Sequence, residues 1–103
     1  MAKFTDAPWS SPEADLDAAD FCACCLIDYN EGEKVKANCK LPVRSRPGGP
    51  VNKNALRNAA SRIFQMAGVP VEVRRKAAAS LVRLMKEAEI DVGDVVRRLA
   101  GMK

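Results

Sequence analysis

The sequence predicts a mainly α fold, a small domain built on an antiparallel helix hairpin, with a short N-terminal helix and a minor β-hairpin or extended segment. Two apolar stripes with helical spacing, over residues 53–67 and 71–88, indicate the hairpin, because only a Gly-Val-Pro link separates them. Aromatic residues are few, so Ala, Val, Leu and Met supply most of the packing. A chain of 103 residues is long enough for one modest core.

The N-terminal segment, residues 1–11, is predicted to be an irregular arm, and residues 12–103 are predicted to form the single small helical domain. Proline and serine at the end of the arm disfavour regular structure. Trp9 is the one large apolar group of the arm. We expect its ring to hold the arm in a groove or on a partner, and an ordinary position in the core is the alternative.

A short first helix follows, and two starts for it are open. Ser10 can begin a capping box, and Asp17 can cap a start seven residues later. Either start predicts a helix that reaches Cys25. Its apolar side would bury Cys22 and Cys25.

The next segment, residues 26–42, alternates apolar and polar residues around Gly32, which indicates a small hairpin or two extended legs. The Pro-Gly-Gly-Pro run at residues 47–50 cannot be helical and predicts a compact turn. Asn52 is then placed to cap the clearest helix of the chain, over residues 53–67.

The later helix boundaries also have local signals. Gly68 and Pro70 are predicted to end the second helix, and a third helix is expected at about residues 71–88. Asp91 is placed to cap a short last helix that Gly101 would end. These signals together predict four helices.

Charge is divided along the chain. Residues 1–33 carry eight acidic side chains and one lysine, a net −7, whereas residues 34–103 carry sixteen basic and five acidic side chains, a net +11. This asymmetry indicates pairing within the chain, head-to-tail self-association as a homo-oligomer, or an acidic partner such as nucleic acid or a capsid surface. Solvated helix faces with excess arginine are the alternative.

We predict a set of partner-binding residues from this charge division. The set consists of the tryptophan of the arm and the cations of the central turn, of the second helix and of the first turn of the third helix. In that last turn the cations oppose the helix dipole. The predicted partner-binding residues are Trp9, Arg44, Arg46, Lys53, Arg57, Arg74, Arg75 and Lys76.

Catalytic and cofactor sites have little support in the sequence. The chain has no histidine, which excludes Ser-His and Cys-His catalysis and every mixed Cys-His zinc site. No phosphate loop, dinucleotide fingerprint or nucleophile elbow is present. We therefore predict a protein that is not an enzyme and needs no cofactor.

The four cysteines leave three states open. A four-thiolate zinc site would need Cys22, Cys24, Cys25 and Cys39, but their spacing lacks the second Cys-x2-Cys pair of such sites. Buried free thiols at Cys22 and Cys25 are favoured. A disulfide from Cys39 to Cys22 or Cys25 would require an oxidising compartment.

The runs CKLPV, PGGPVNKNALRNAASRI and RRKAAASLVRLMKEA resemble a small domain of tailed phages and prophages, found with prohead proteases and other head-morphogenesis proteins. The likeness covers residues 9–88. Some relatives carry histidine after Lys-Leu-Pro and near the end of the last long helix, where this chain has Val43 and Arg44 and residues 84–86. Any metal or catalytic role that depends on those histidines is therefore not carried over.

The resemblance implies a structural or head-assembly protein of the virion, a minor capsid or decoration type, that binds the capsid shell or another head protein. The alternative is a small nucleic-acid-binding module that uses non-specific phosphate contacts. The longest uncharged apolar run is seven residues, so no membrane contact is expected. The first residues lack a signal-peptide pattern, and we expect synthesis in the host cytoplasm.

Overall fold

The computed structural model describes residues 3–63 and 68–91. None of the helices in these residues has both the length and the apolar character to cross a membrane. In chain order the elements are β1 (Phe4–Thr5), α1 (Ala18–Ala23), β2 (Cys25–Asp28), a 3-10 turn (Lys36–Asn38), β3 (Cys39–Pro42), β4 (Val51–Asn52), α2 (Lys53–Arg62) and α3 (Val71–Glu87).

A two-stranded antiparallel ribbon, β2 with β3, lies at the centre of the fold. Ile27 pairs with Lys40 across it. The second ladder is parallel and joins β1 to β4. The backbone N–H of Asn52 donates to the carbonyl of Val43 at 2.8 Å, which ties β4 to the end of the ribbon. Hydrogen bonds between short extended segments therefore connect the N-terminal arm, the ribbon and the start of α2.

The main core is the larger of two apolar clusters. In it α2 packs against β3, α3 packs against β2, and the two helices contact each other. Buried residues come from the extended segments as well as from the helices. The main core consists of Ile27, Leu41, Val43, Val51, Ala55, Leu56, Ala59, Ile63, Val69, Ala77, Ala78, Leu81, Val82, Leu84, Met85 and Ala88.

The predicted fold class is wrong. The domain is a mixed structure with two small sheets, and its organising unit is not a helix hairpin. Helices α2 and α3 do contact each other, but each also packs on the ribbon. The physical reason is that branched side chains of the extended segments, such as Ile27 and Val51, are fully buried and fill space that the alanine-rich helix faces leave.

The start of α1 confirms one of the two open alternatives. The Asp17 carboxylate accepts the backbone N–H of Asp20 at 2.8 Å, so the helix begins there and not at Ser10. The helix ends at Ala23, earlier than predicted, and Cys25 belongs to β2. The arm also differs from its predicted irregular form where β1 pairs with β4.

Both long helices begin near the predicted residues. The Asn52 side-chain oxygen accepts the backbone N–H of Ala55 at 3.0 Å and caps α2, as predicted. The predicted C-terminal part of that helix, including Phe64, lies outside the described residues. So does the last helix predicted after Asp91, up to Gly101.

A second, smaller group, here called the sulfur cluster, lies beside α1. It consists of buried Phe21, Cys22 and Cys39, with Leu16 and Cys25 packed against them. The two bonded cysteines come from different elements. Cys39 is the first residue of β3, and Cys22 lies in α1. The fold therefore has two apolar clusters, and residues of the ribbon contribute to both.

Candidate functional site

The N-terminal arm is attached to the start of α2 by side-chain amides. The Asn52 amide donates to the carbonyl of Ala7 at 3.0 Å, and the Asn54 amide donates to the same oxygen at 2.9 Å. The backbone N–H of Val51 donates to the carbonyl of Lys3 at 2.8 Å. Asn52 is 5% exposed, so its amide bonds are made away from water. The arm is thus positioned by the same residue that caps the helix.

This attachment creates a groove of about 370 Å³ between the arm, β3 and α2. Its walls come from the arm and the residues after it, from β3 and from α2, and Phe21 of α1 also lines it. A groove of this size is within the range of binding sites for small molecules and short peptide segments. The lining residues that bear on its chemistry are Trp9, Glu13, Lys40, Leu41, Asn58 and Arg62.

Trp9 lies at this groove. Its ring is half-buried and packs against the main core while it also lines the groove. The two positions of Trp9 considered from sequence, in the core and in a groove, therefore both describe this ring in part. A contact between Trp9 and a partner stays a prediction.

The floor of the groove contains a strained residue. Leu41 has a φ of 61°, which lies in the left-handed region that a leucine rarely adopts. This conformation costs about 1–2 kcal/mol in an L-residue other than glycine. The Leu41 side chain is buried in the main core, so packing holds the backbone in this form. Strained backbone of this kind is frequent where proteins bind ligands.

Charged groups of both signs line the groove. Lys40 from β3 and Arg62 from α2 are basic, and Glu13 from the segment after the arm is acidic. Lys36 fixes the position of the segment that contains Glu13, because its ammonium group donates to the Glu13 carbonyl. The mainly polar lining, with Trp9 at one wall and an excess of positive charge, suits a peptide segment that carries an apolar side chain and a carboxylate.

The predicted partner-binding residues of the central turn have different surroundings. The Arg44 guanidinium donates through Nε to the carbonyl of Gly49 at 3.0 Å, so Arg44 closes the turn. Gly48 has a φ of 74°, which this turn requires and which only glycine adopts without strain. Arg46 is exposed. Arg46 is therefore the better placed of the two for a contact outside the chain.

On α2, Arg57 is held by groups of its own surroundings. Its guanidinium donates to the Asn54 side-chain oxygen at 3.0 Å and lies 3.6 Å from the Asp6 carboxylate. The Asp6 side chain is 71% exposed and that of Arg57 is 52% exposed, so this ion pair is solvated and weak. Lys53, one turn earlier, is half-buried.

The first turns of α3 carry the remaining predicted cations. Arg75 and Lys76 are exposed, whereas Arg74 is half-buried. The Nε atom of Arg74 is buried and has no hydrogen-bond partner among the described residues. An unsatisfied donor of a charged group costs free energy.

The acidic N-terminal part does not neutralise these cations in the described part of the chain. Two ion pairs occur there, between Arg57 and Asp6 and between Lys34 and Asp28. Pairing of the acidic residues with the basic helices, one of the alternatives from sequence, is thus limited to one solvated contact. The exposed cations are left for solvent or a partner.

The cysteines form a disulfide between Cys22 and Cys39, with the Cα atoms 5.3 Å apart. The favoured prediction of a free thiol at Cys22 is wrong, and the disulfide was one of the open alternatives. Cys24 and Cys25 are free thiols, and Cys24 is buried. A four-thiolate zinc site is excluded in this oxidised state, because Cys22 and Cys39 are bonded to each other.

The two free thiols are poor nucleophiles. Burial is the main cause that raises the pKa of the Cys25 thiol to about 12, and the nearby Cys24, Asp28 and Glu13 act in the same direction, with Lys40 opposing. Burial also raises the pKa of the Cys24 thiol. Both groups stay protonated at neutral pH, and a protonated thiol attacks electrophiles slowly.

Sequence reasoning missed the groove residues Lys40 and Arg62. No local signal marks them, because the groove forms only when the arm, β3 and α2 come together. Of the predicted partner-binding residues, the groove contains Trp9. The cations of the central turn, of α2 and of α3 lie on three separate segments.

Comparisons of the chain with protein-family models, curated proteins and solved structures gave no match.

Proposed function

We propose that this chain is a structural or head-assembly protein of a tailed phage that binds an acidic surface of the capsid shell or of another head protein. One observation carries the proposal. Arg46, Arg75 and Lys76 are exposed and outside the ion pairs of the described residues. Such cations can form new pairs at little desolvation cost and can steer association with an acidic partner.

The groove supports protein binding. Its apolar wall at Trp9 and its cations at Lys40 and Arg62 are suited to an extended segment of a partner. The phage setting comes from the sequence resemblance alone. Residues of the runs that carry this resemblance have structural roles, since Asn52 caps α2 and Leu41 is buried in the main core.

The experiment is to measure the copy number of the chain on purified phage heads by quantitative mass spectrometry, followed by binding of the purified protein to empty heads. The variant Arg75→Glu/Lys76→Glu should weaken binding about tenfold, since each lost contact contributes up to about 1 kcal/mol. The control, Arg83→Glu/Lys86→Glu, makes the same charge change at exposed positions of the same helix. Equal effects of both variants, or no binding to heads, would refute the proposal.

A nucleic-acid-binding module is the second candidate, because the chain carries a net charge of +4 and places three cations in the first turns of α3. A salt titration of a DNA shift assay separates the two. A protein that contacts several phosphates loses affinity steeply with salt. The logarithm of its binding constant falls with the logarithm of the salt concentration, with a slope of about −0.9 for each phosphate contact. Tight DNA binding at physiological salt would favour this second candidate.

A further inference from the structure

A carboxylate lies beside the disulfide of the sulfur cluster. The sulfurs of Cys22 and Cys39 and a carboxylate oxygen of Asp28 all lie within 4.8 Å of one another. In the oxidised chain the two sulfurs are bonded and cannot act as thiolate ligands. Reduction would make both sulfurs available as ligands, and no other donor atom would have to move into the site.

We propose that reduction of the Cys22–Cys39 disulfide creates a binding site for one thiophilic divalent cation, of the zinc or cadmium type, with the two thiolates and the Asp28 carboxylate as ligands. Thiolates and carboxylates are common zinc ligands, and two sulfurs bound to one zinc ion lie about 3.8 Å apart. The Cα atoms are 5.3 Å apart, so small side-chain rotations open the sulfurs to that distance.

The surroundings of the three donors are those of a metal site. The Asn30 amide lies 3.2 Å from the Cys39 sulfur and 3.7 Å from the Cys22 sulfur, and donates to the Asp28 carboxylate at 2.8 Å. The one amide nitrogen thus lies within hydrogen-bond distance of all three donor atoms and shares its two hydrogens among them. Outer groups of this kind orient ligands and tune their affinity.

Charge and access also fit a bound cation. Two thiolates and one carboxylate carry −3, so a divalent ion leaves −1, and the Lys34 ammonium, which pairs with Asp28, offsets it. The Asp28 side chain is 26% exposed, which gives the ion a path from solvent. The fourth position of a tetrahedral ion would be open to water.

Reduction and metal binding are two successive steps. A dithiol reductant attacks the disulfide, the bond between Cys22 and Cys39 breaks, and the dithiol is oxidised to its own disulfide while two electrons and two protons pass to the protein. The cation then displaces the two thiol protons to solvent. In a reducing compartment the metal-bound form would replace the disulfide form.

The test uses the full chain in oxidised and reduced forms, with Zn²⁺ alone in a chromophoric competition assay and Cd²⁺ alone for thiolate charge-transfer absorption. We expect one equivalent bound by the reduced protein, none by the oxidised protein, and affinity at least about tenfold lower in Asp28→Asn. Cys24→Ser and Cys25→Ser serve as controls and should bind as the wild type does.

Circular dichroism and thermal unfolding distinguish a lost site from a lost fold. Zn²⁺ should raise the unfolding temperature of the reduced protein and leave that of the oxidised protein unchanged. Reduced protein that binds no metal, or that stays unfolded when Zn²⁺ is added, would overturn the proposal. So would binding that survives Cys22→Ser or that is lost in Cys24→Ser.

Discussion

The main core and the sulfur cluster are held together by different forces. Buried aliphatic side chains from three strands and both long helices fill the main core, and Leu56, Leu81 and Ile63 within it have no exposed surface. The sulfur cluster has three buried residues, one covalent bond and a polar network. The stability of the main core therefore depends on apolar area removed from water, whereas the sulfur cluster depends on cross-linking.

The loop between β2 and β3 shows what the cross-link does. Asn30 organises this loop, because its side-chain oxygen accepts the backbone N–H of Val35 at 3.0 Å and the amide of Asn38 at 3.2 Å. Val35 itself is 49% exposed. The loop thus has hydrogen bonds and a nearby disulfide where the helices have apolar packing. Local opening should differ between the two regions accordingly.

The largest expected effect tests the main core. Leu56→Ala should lower the free energy of unfolding by about 2–5 kcal/mol, because it leaves a cavity among fully buried side chains. Urea unfolding followed by circular dichroism measures it. The control Val35→Ala, at an exposed position of the loop, should change stability by less than about 0.5 kcal/mol. Similar losses in both variants would show that the two regions are not packed differently.

Removal of the disulfide is the next largest effect. Cys22→Ala/Cys39→Ala, in buffer with a chelator, should lower stability by about 3 kcal/mol, because a cross-link 17 residues apart restricts the unfolded chain. Hydrogen exchange should rise over residues 29–38 more than in α3. Uniform acceleration across the whole chain would contradict the separation of the two regions.

A smaller effect is expected at the junction of the arm with the main core. Asn52→Ala should cost about 1–2 kcal/mol, because it removes the cap of α2 and the amide bond to Ala7. Asn52→Asp keeps the capping oxygen and loses the amide, so it separates the two contributions. Should Asn52→Asp be as stable as the wild type, the bond to the arm would contribute nothing.

The smallest effect is a pH dependence in the loop of the sulfur cluster. Burial of Asp28 opposes its ionisation, but hydrogen bonds from Lys34 and Asn30 outweigh this and lower its pKa below the ordinary value. A carboxyl with a lowered pKa stabilises the fold above its unfolded-state pKa, and this contribution is lost as the pH falls below about 4.

The measurement is the difference in unfolding free energy between the wild type and Asp28→Asn at pH 6 and at pH 3. The difference should shrink at pH 3, because the wild-type carboxyl is then becoming neutral as well. The control Val35→Ala, which changes no ionisable group, should give the same difference from the wild type at both pH values. A constant difference for Asp28→Asn across the pH range would contradict the assigned role of the Lys34 pair.

Much of the local structure could be predicted from the sequence, whereas the candidate site could be predicted only in part. Trp9 was expected in a groove or the core, and it lies at both. Lys40 and Arg62 could not be expected there, since no short-range pattern relates β3 to α2. The cations were predicted as one partner-binding set, but the structure distributes them over three segments with different surroundings.

By itself the sequence determined where α2 begins and limited the start of α1 to two residues, because a capping side chain such as Asp17 or Asn52 acts on a backbone N–H only three residues away. Only the tertiary structure decided that the ribbon and not a helix hairpin organises the core, and that Cys22 bonds to Cys39. These outcomes depend on contacts between distant segments. Their energies come from the shape and burial of the assembled side chains, which no local pattern contains.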